Sequence, residues 1–189
     1  KILKSKEKEE IERILFELSS ECAEVKESIL NSLWLLTELD YIFGKAKLAQ
    51  KMNATKPLLN DKSYIELKNA RHPLLDKNTV VPINVTLGKD YKLLVITGPN
   101  TGGKTVTIKT IGLLSIMAAS GLLVPCSEGS EVAVFNNIFS DIGDEQSIEQ
   151  SLSTFSSHIK NIVSILEQVD NNSLVLLDEL CSGTDPVEG

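Results

Sequence analysis

The stretch Lys92-Leu93-Leu94-Val95-Ile96-Thr97-Gly98-Pro99-Asn100-Thr101-Gly102-Gly103-Lys104-Thr105 decides how the rest of the chain is read. Its apolar half, Lys92–Thr97, has the composition of a buried strand. That run opens into G-x-x-x-x-G-K-T, and the apolar spacing beyond it predicts a helix from about Val106 to Ser120. Strand, glycine-rich loop and helix in this order make a phosphate-binding loop. Glycines let backbone N–H groups close round phosphate oxygens, and the helix turns its positive end toward them. Lys104 reaches the outer phosphates, and the Thr105 hydroxyl ligates Mg²⁺. The competing reading is an ordinary Gly-rich turn. The spacing arises by chance in roughly one chain in 150 of this length, and the flanking segments argue further against that reading.

The second half of such a site lies at Ser173-Leu174-Val175-Leu176-Leu177-Asp178-Glu179, a short apolar strand ending in two carboxylates. Ligands of open α/β sheets sit at the carboxyl ends of the strands. Asp178 is placed to hold Mg²⁺ through water, and Glu179 to polarise an attacking water. Alone, an apolar run before Asp-Glu says little. After a phosphate-binding loop it implies Mg·ATP hydrolysis rather than phosphate binding alone.

Composition narrows the classes. A chain of 189 residues, 42% hydrophobic and 24% charged, holds one complete domain and an appendage. Its net charge of −7 argues against broad nonspecific binding of nucleic acid by this segment itself. Cys22, Cys126 and Cys181 lack metal-ligand spacing, which favours a reduced cytoplasmic setting over a disulfide framework. No run is long and apolar enough to span a membrane as a helix. Lys1 at the start and the stop at Gly189, just after the second half of the site, suggest an excised piece.

From Ile2 to about Gln50 apolar residues recur at steps of three and four: Ile11, Ile14/Leu15, Leu18, Cys22, Val25, Ile29, Leu33, Leu36, Leu39 and Phe43. The other faces are charged, so a long coiled-coil-like arm is expected over residues 1–56, with Trp34 and Tyr41 as packing residues. Asn53–Asp61, with Pro57, reads as the linker ending it. Strands are expected at Ser63–Leu67, Ile83–Leu87, Glu131–Phe135 and Ile138–Ile142, with a turn at Gly88-Lys89-Asp90. Gly121 is the expected helix stop before Pro125. Ser151–Asp170 reads as a helix presenting Phe155, Ile159, Ile162, Val163 and Leu166 on one face. His72, beside Pro73, is read as structural.

Several motifs together carry a family resemblance. Thr97–Thr105 resembles the TGPN-x-GGK-[ST] loop of MutS-type ATPases, and Ser153-Thr154-Phe155 resembles their S-T-F signature. Asp178-Glu179-Leu180 and Gly183-Thr184-Asp185-Pro186 are similar to the strand end and following loop of one bacterial branch. That branch lacks the mismatch-reading domain and ends in a small Smr nuclease domain. Asp144-Glu145-Gln146-Ser147-Ile148 and Ala70-Arg71-His72-Pro73-Leu74-Leu75 fit it as well, whereas Cys181 stands where the branch carries Gly.

The resemblance implies an α/β fold: an ABC-type P-loop ATPase domain over residues 57–189, a mixed sheet with flanking helices, truncated on its C-terminal side. It implies a homodimer that sandwiches ATP, with Gly98 to Thr105 of one subunit facing Ser153 of the other. Lys104 and Glu179 would be the catalytic pair, Asn100 would contact the nucleotide, and Val80 and Val81 would pack on adenine. The family's switch histidine would follow Gly189, and His158 is not taken as its substitute. The piece alone is accordingly expected to bind nucleotide poorly and to hydrolyse almost none. Its parent would act on branched DNA or on stalled ribosomes and their rRNA, with any nuclease activity in the Smr part. Two other classes compete: a non-hydrolysing ATP-gated DNA clamp of the ABC/SMC type, and a small-molecule P-loop kinase.

Overall fold

Apolar residues at steps of three and four, with no proline among them, produce two long helices, α1 (Ile2–Glu24) and α2 (Lys26–Met52). The computed structural model describes residues 2–99, 102–143 and 151–178, and the side chains over the same ranges except 151–157. Two compact units emerge, Lys1–Ala46 and Lys47–Gly189. In the first, no described helix residue is buried. Arg13 bridges Glu10 at 2.6 Å and Glu17 at 2.5 Å on the charged side. Trp34 and Tyr41, expected to pack, are exposed, because this unit sets no second layer against the helix. Tyr41 instead lies under the Lys45 ammonium, 4.5 Å from the ring centre. Gly44 does not end the helix. One interior glycine costs only about 1 kcal/mol relative to alanine, and the helix formers after it, Lys45 to Lys51, outweigh that.

The second unit is a mixed α/β structure. Strands β1 (Leu58–Asn60), β2 (Ile65–Ala70), β3 (Ile83–Leu87) and β4 (Glu131–Ala133) form one sheet in the order β1-β4-β2-β3. β1 runs parallel to β4, and the other pairs are antiparallel. A second, parallel pair joins β5 (Asn137–Asp141) to β6 (Ser173–Leu177). Helices α3 (Lys104–Ala119) and α4 (Ser151–Gln168) complete it. The core joins Ile65, Leu67 and Val85 of the larger sheet, Ile111, Leu114 and Met117 of α3, and Leu174 and Leu176 of β6.

Local chemistry explains the irregularities. Leu67 pairs with Val85 and Ala70 with Ile83, so β2 carries one extra residue opposite β3. The bulge places Asn69 at φ 49°, where its amide is taken by the Asn84 side chain at 2.8 Å. Helix α3 ends as the sequence leads one to expect. Gly121, at φ 72°, donates to the Ala118 carbonyl, and Leu122 donates to that of Met117. These two bonds make a Schellman stop.

Three expectations are corrected. Asn53–Asp61 is not a bare linker: Thr55 bridges Val124, and Leu58–Asn60 is β1. Pro57 immediately precedes that strand without preventing it, since its missing N–H falls before the first ladder bond, Leu58 N to Ser130 O at 2.9 Å. Lys92–Thr97 belongs to neither sheet, and Leu93 and Val95 are 77% and 71% exposed. Apolar composition qualifies a segment for a sheet, but pairing needs a matching edge, which this run does not meet among the described residues. Helix α4 buries Ile165, with Ile162 half-buried, while Ile159, Val163 and Leu166 are exposed.

The turn at Gly88 is the tightest point of the larger sheet. At φ 96°, a Cβ on Gly88 would sit 2.4 Å from the Ser63 carbonyl oxygen and 2.8 Å from Tyr64 Cα, both backbone atoms. Gly88→Ala is therefore expected to lower stability by about 3 kcal/mol, from positive-φ strain and overpacking together. Urea unfolding checks this; an unchanged midpoint would show that the turn relaxes freely.

Candidate functional site

The loop before α3 is built by glycine conformations. Gly98 lies at φ 148° and Gly103 at φ 76°, both on the side of the map that favours glycine. Gly102 N donates to Pro99 O at 2.9 Å and closes the turn between them. A Cβ at Gly98 or Gly103 would meet no heavy atom of the described residues within 4 Å, so both glycines border open space. Gly103 is the N-cap of α3 and has no side chain to cap it. The first intrahelical bond runs from Thr107 N to Gly103 O at 2.9 Å. The amides of Lys104, Thr105 and Val106 thus fall in the turn that an α-helix leaves without intrahelical partners.

Lys104 and Thr105 are half-buried in that first turn. The Lys104 ammonium reaches back across the loop and donates to Gly98 O at 2.6 Å. A cation, a row of amides and a helix N-terminus therefore converge on one loop, which is the equipment for binding an anion. Asn100 and Thr101 lie outside the described residues.

Asp178 follows β6 directly and is half-buried. Its N–H donates to Asp141 O at 2.9 Å, extending the β5–β6 ladder by one bond. β6 is held against α3 at Gly112, where a Cβ would come within 2.4 Å of Leu176 Cδ1. Glycine at that point lets the helix that starts at the loop lie close on the strand that ends at Asp178. Thr105 supplies a hydroxyl and Asp178 a carboxylate, hard oxygen donors of the type Mg²⁺ takes. Glu179 lies outside the described residues, as does the side chain of Ser153, whose backbone sits in the first turn of α4.

A cluster that sequence reading passed over adjoins Asp178. Asp141 is 8% exposed. Its Oδ2 accepts from His158 Nδ1 at 2.8 Å, and its Oδ1 accepts from Asn161 Nδ2 at 2.8 Å. Asn161 also reaches Ser140 O at 3.3 Å. Gly143 leaves room for the imidazole, since a Cβ there would lie 3.3 Å from His158 Cε1. The signal was available: His158, Asn161 and Ile165 fall at steps of three and four, marking a second helix face.

A separate cavity of about 560 Å³ opens between the end of α2, the segment Arg71–Val80 and the end of α3. Leu48, Met52, Pro73, Leu113 and Met117 line it, and Lys51, Arg71 and Lys77 bring positive charge. Val80 lines it too, whereas Val81 is exposed. His72, in its wall, accepts from Leu74 N at Nδ1 (3.3 Å), an arrangement suited to the neutral ring. Burial, and after it the charge of Lys109, hold its pKa below the ordinary histidine value.

Comparison with known proteins places this geometry in context. The family model described as MutS domain V matches residues 94–189. The chain is 64% identical over 184 residues to an endonuclease MutS2 of Geobacillus sp. strain WCH70, covering 97% of this chain and 24% of that protein. It is 61% identical over 189 residues to the endonuclease MutS2 of Finegoldia magna, covering 100% of this chain and 24% of the relative. For the endonuclease MutS2 of Caldicellulosiruptor bescii the identity is 58% over 189 residues, with the same two coverages. The chain thus spans about a quarter of the length of these relatives.

The depressed His72 pKa has a consequence of definite sign. The unfolded chain takes up a proton near pH 6.5, before the folded chain does, so acidification favours unfolding. His72 contributes stability that is present above the unfolded pKa and is lost as pH falls through the folded one. The denaturation midpoint is expected to fall between pH 7.5 and 5.5, and His72→Gln to flatten that slope. Equal slopes in the two proteins would remove His72 as the cause.

Proposed function

The chain belongs to the MutS family through its domain V, the family's ATPase domain, and from that membership we propose that it binds and hydrolyses ATP with Mg²⁺. The observation that carries the reading is the convergence of Lys104, the first amides of α3 and the left-handed glycines Gly98 and Gly103 on one loop. The ATPase domain is taken as residues 57–189, with residues 1–56 as the arm that leads into it.

In this reading Gly98 to Gly103 wrap the phosphates with backbone N–H groups, and Asn100 contacts the nucleotide. Lys104 exchanges the Gly98 carbonyl for the outer phosphate oxygens. Thr105 would hold Mg²⁺ directly and Asp178 through water. Bound there, Mg²⁺ neutralises charge on the outer phosphates. Glu179 orients and polarises the attacking water. Ser153 of a second copy, at the start of its α4, offers a hydroxyl and helix-terminal amides to the γ-phosphate. The functional state is thus a homodimer closed over nucleotide, working in the cytoplasm.

The whole protein acts on branched DNA or on stalled ribosomes, and its nuclease activity resides in an Smr-type part. The names of the relatives, endonuclease MutS2, support the nuclease. The net charge of −7 argues against broad nonspecific contact of this segment with nucleic acid, so the reading assigns that contact to other parts of the protein.

Lys104→Ala in the full-length protein removes the cation facing the phosphates. ATP affinity is expected to fall roughly thirtyfold, corresponding to about 2 kcal/mol for a charge-assisted bond; equal affinity by calorimetry would sink the assignment. Glu179→Gln is expected to keep ATP affinity while slowing phosphate release by about a hundredfold. Unchanged turnover would remove Glu179 from the chemistry and favour a clamp that uses ATP without hydrolysing it.

A further inference from the structure

We propose that Asp141, His158 and Asn161 form a positioning cluster that fixes the rotation of α4 about its axis, and with it the placement of Ser153 at the nucleotide. The proposal rests on the ATPase reading above and deepens it by assigning residues to which that reading gives no task.

Asp141 ties two elements of the site to one residue. Its main-chain oxygen receives the N–H of Asp178, at the end of β6. Both oxygens of its side chain receive donors from α4, His158 Nδ1 and Asn161 Nδ2, each at 2.8 Å. A carboxylate only accepts, so the hydrogen of the first bond sits on Nδ1. Asn161 adds a bond to Ser140 O, which anchors the helix to the strand backbone as well.

The rotation so fixed leaves part of the helix's apolar stripe exposed. Ile159, Val163 and Leu166 would form a continuous buried stripe, yet Leu166 is 68% exposed, while Ile165 is 6% exposed beside the polar residues. Leaving Asp141 without its partners would cost its full desolvation. A helix held by polar geometry keeps one azimuth. Apolar packing alone tolerates rotation. Ser153 lies in the first turn of this helix, so the azimuth decides where that turn points, and the same residue sets it against the strand that carries Asp178.

The test uses the full-length protein, with ATP as probe, comparing steady-state phosphate release and ATP binding. His158→Ala is expected to lower kcat about tenfold, the scale at which outer-shell partners act, with ATP affinity unchanged because the Lys104 loop is intact. His158→Asn, whose amide nitrogen takes the place of Nδ1 and can still donate to Asp141, is expected to restore most of kcat. Ser153→Ala lowers kcat by itself, and adding His158→Ala to it is expected to lower it no further. A purely structural role would instead give additive losses and a falling folded fraction without rescue. Wild-type kcat in His158→Ala, or additivity with Ser153→Ala, overturns the proposal. Where His158→Ala does not accumulate as folded protein, Asn161→Ala, which keeps the His158 bond, carries the same non-additivity test. Lys104→Ala runs alongside: unchanged ATP binding there overturns the ATPase reading itself. Lost binding there with normal kcat in His158→Ala overturns only the cluster.

Discussion

Helix α3 lies against β6 at Gly112, and the rest of the second unit depends on that close approach. The helix begins at the phosphate loop, and the strand ends at Asp178, so the contact between them spans the site. Ile111, Leu114 and Met117 of α3 and Leu174 and Leu176 of β6 are buried in one core. Each such side chain contributes about 1.5–3 kcal/mol by leaving water. The loop itself contributes little to that core. Its glycines are held in left-handed conformations that the packed helix behind them sustains.

Polar constraints refine what apolar packing leaves open. Apolar contacts place α3 against the strands, but α4 is set by Asp141, His158 and Asn161. The difference matches the tasks proposed for the two helices. α3 presents backbone amides at its end, and amides at a helix terminus are nearly insensitive to rotation about the axis. α4 presents a particular side chain, Ser153, and a side chain changes direction as the helix turns. Hydrogen bonds are directional and the hydrophobic effect is not.

Much of the fold was legible because punctuation bounded it. Ile83–Leu87 lies between Pro82 and Gly88, and the strand occupies those residues. Gly121 marked the end of α3 through its φ of 72°. β1 was hidden because Pro57 and Asn60 look like loop residues, and only pairing with β4 makes Leu58–Asn60 a strand. Lys92–Thr97 misled in the opposite direction, since its apolar character says nothing of a partner edge. At the candidate site, Lys104, Thr105 and Asp178 are readings from local spacing. Asp141 could not be read so, because its own strand carries no sign of the partners that α4 brings to it from 17 and 20 residues along the chain.

The central claim is that the loop from Gly98 to Thr105 receives the phosphates of ATP. Following backbone amide resonances of the ¹⁵N-labelled chain during titration with ATP and Mg²⁺ tests it most directly. The account predicts saturable shifts centred on Gly102, Gly103, Lys104 and Thr105, with the same apparent affinity at each. Saturable binding that leaves those four amides unmoved and shifts the cavity residues Leu74, Leu75 and Leu113 instead would contradict it.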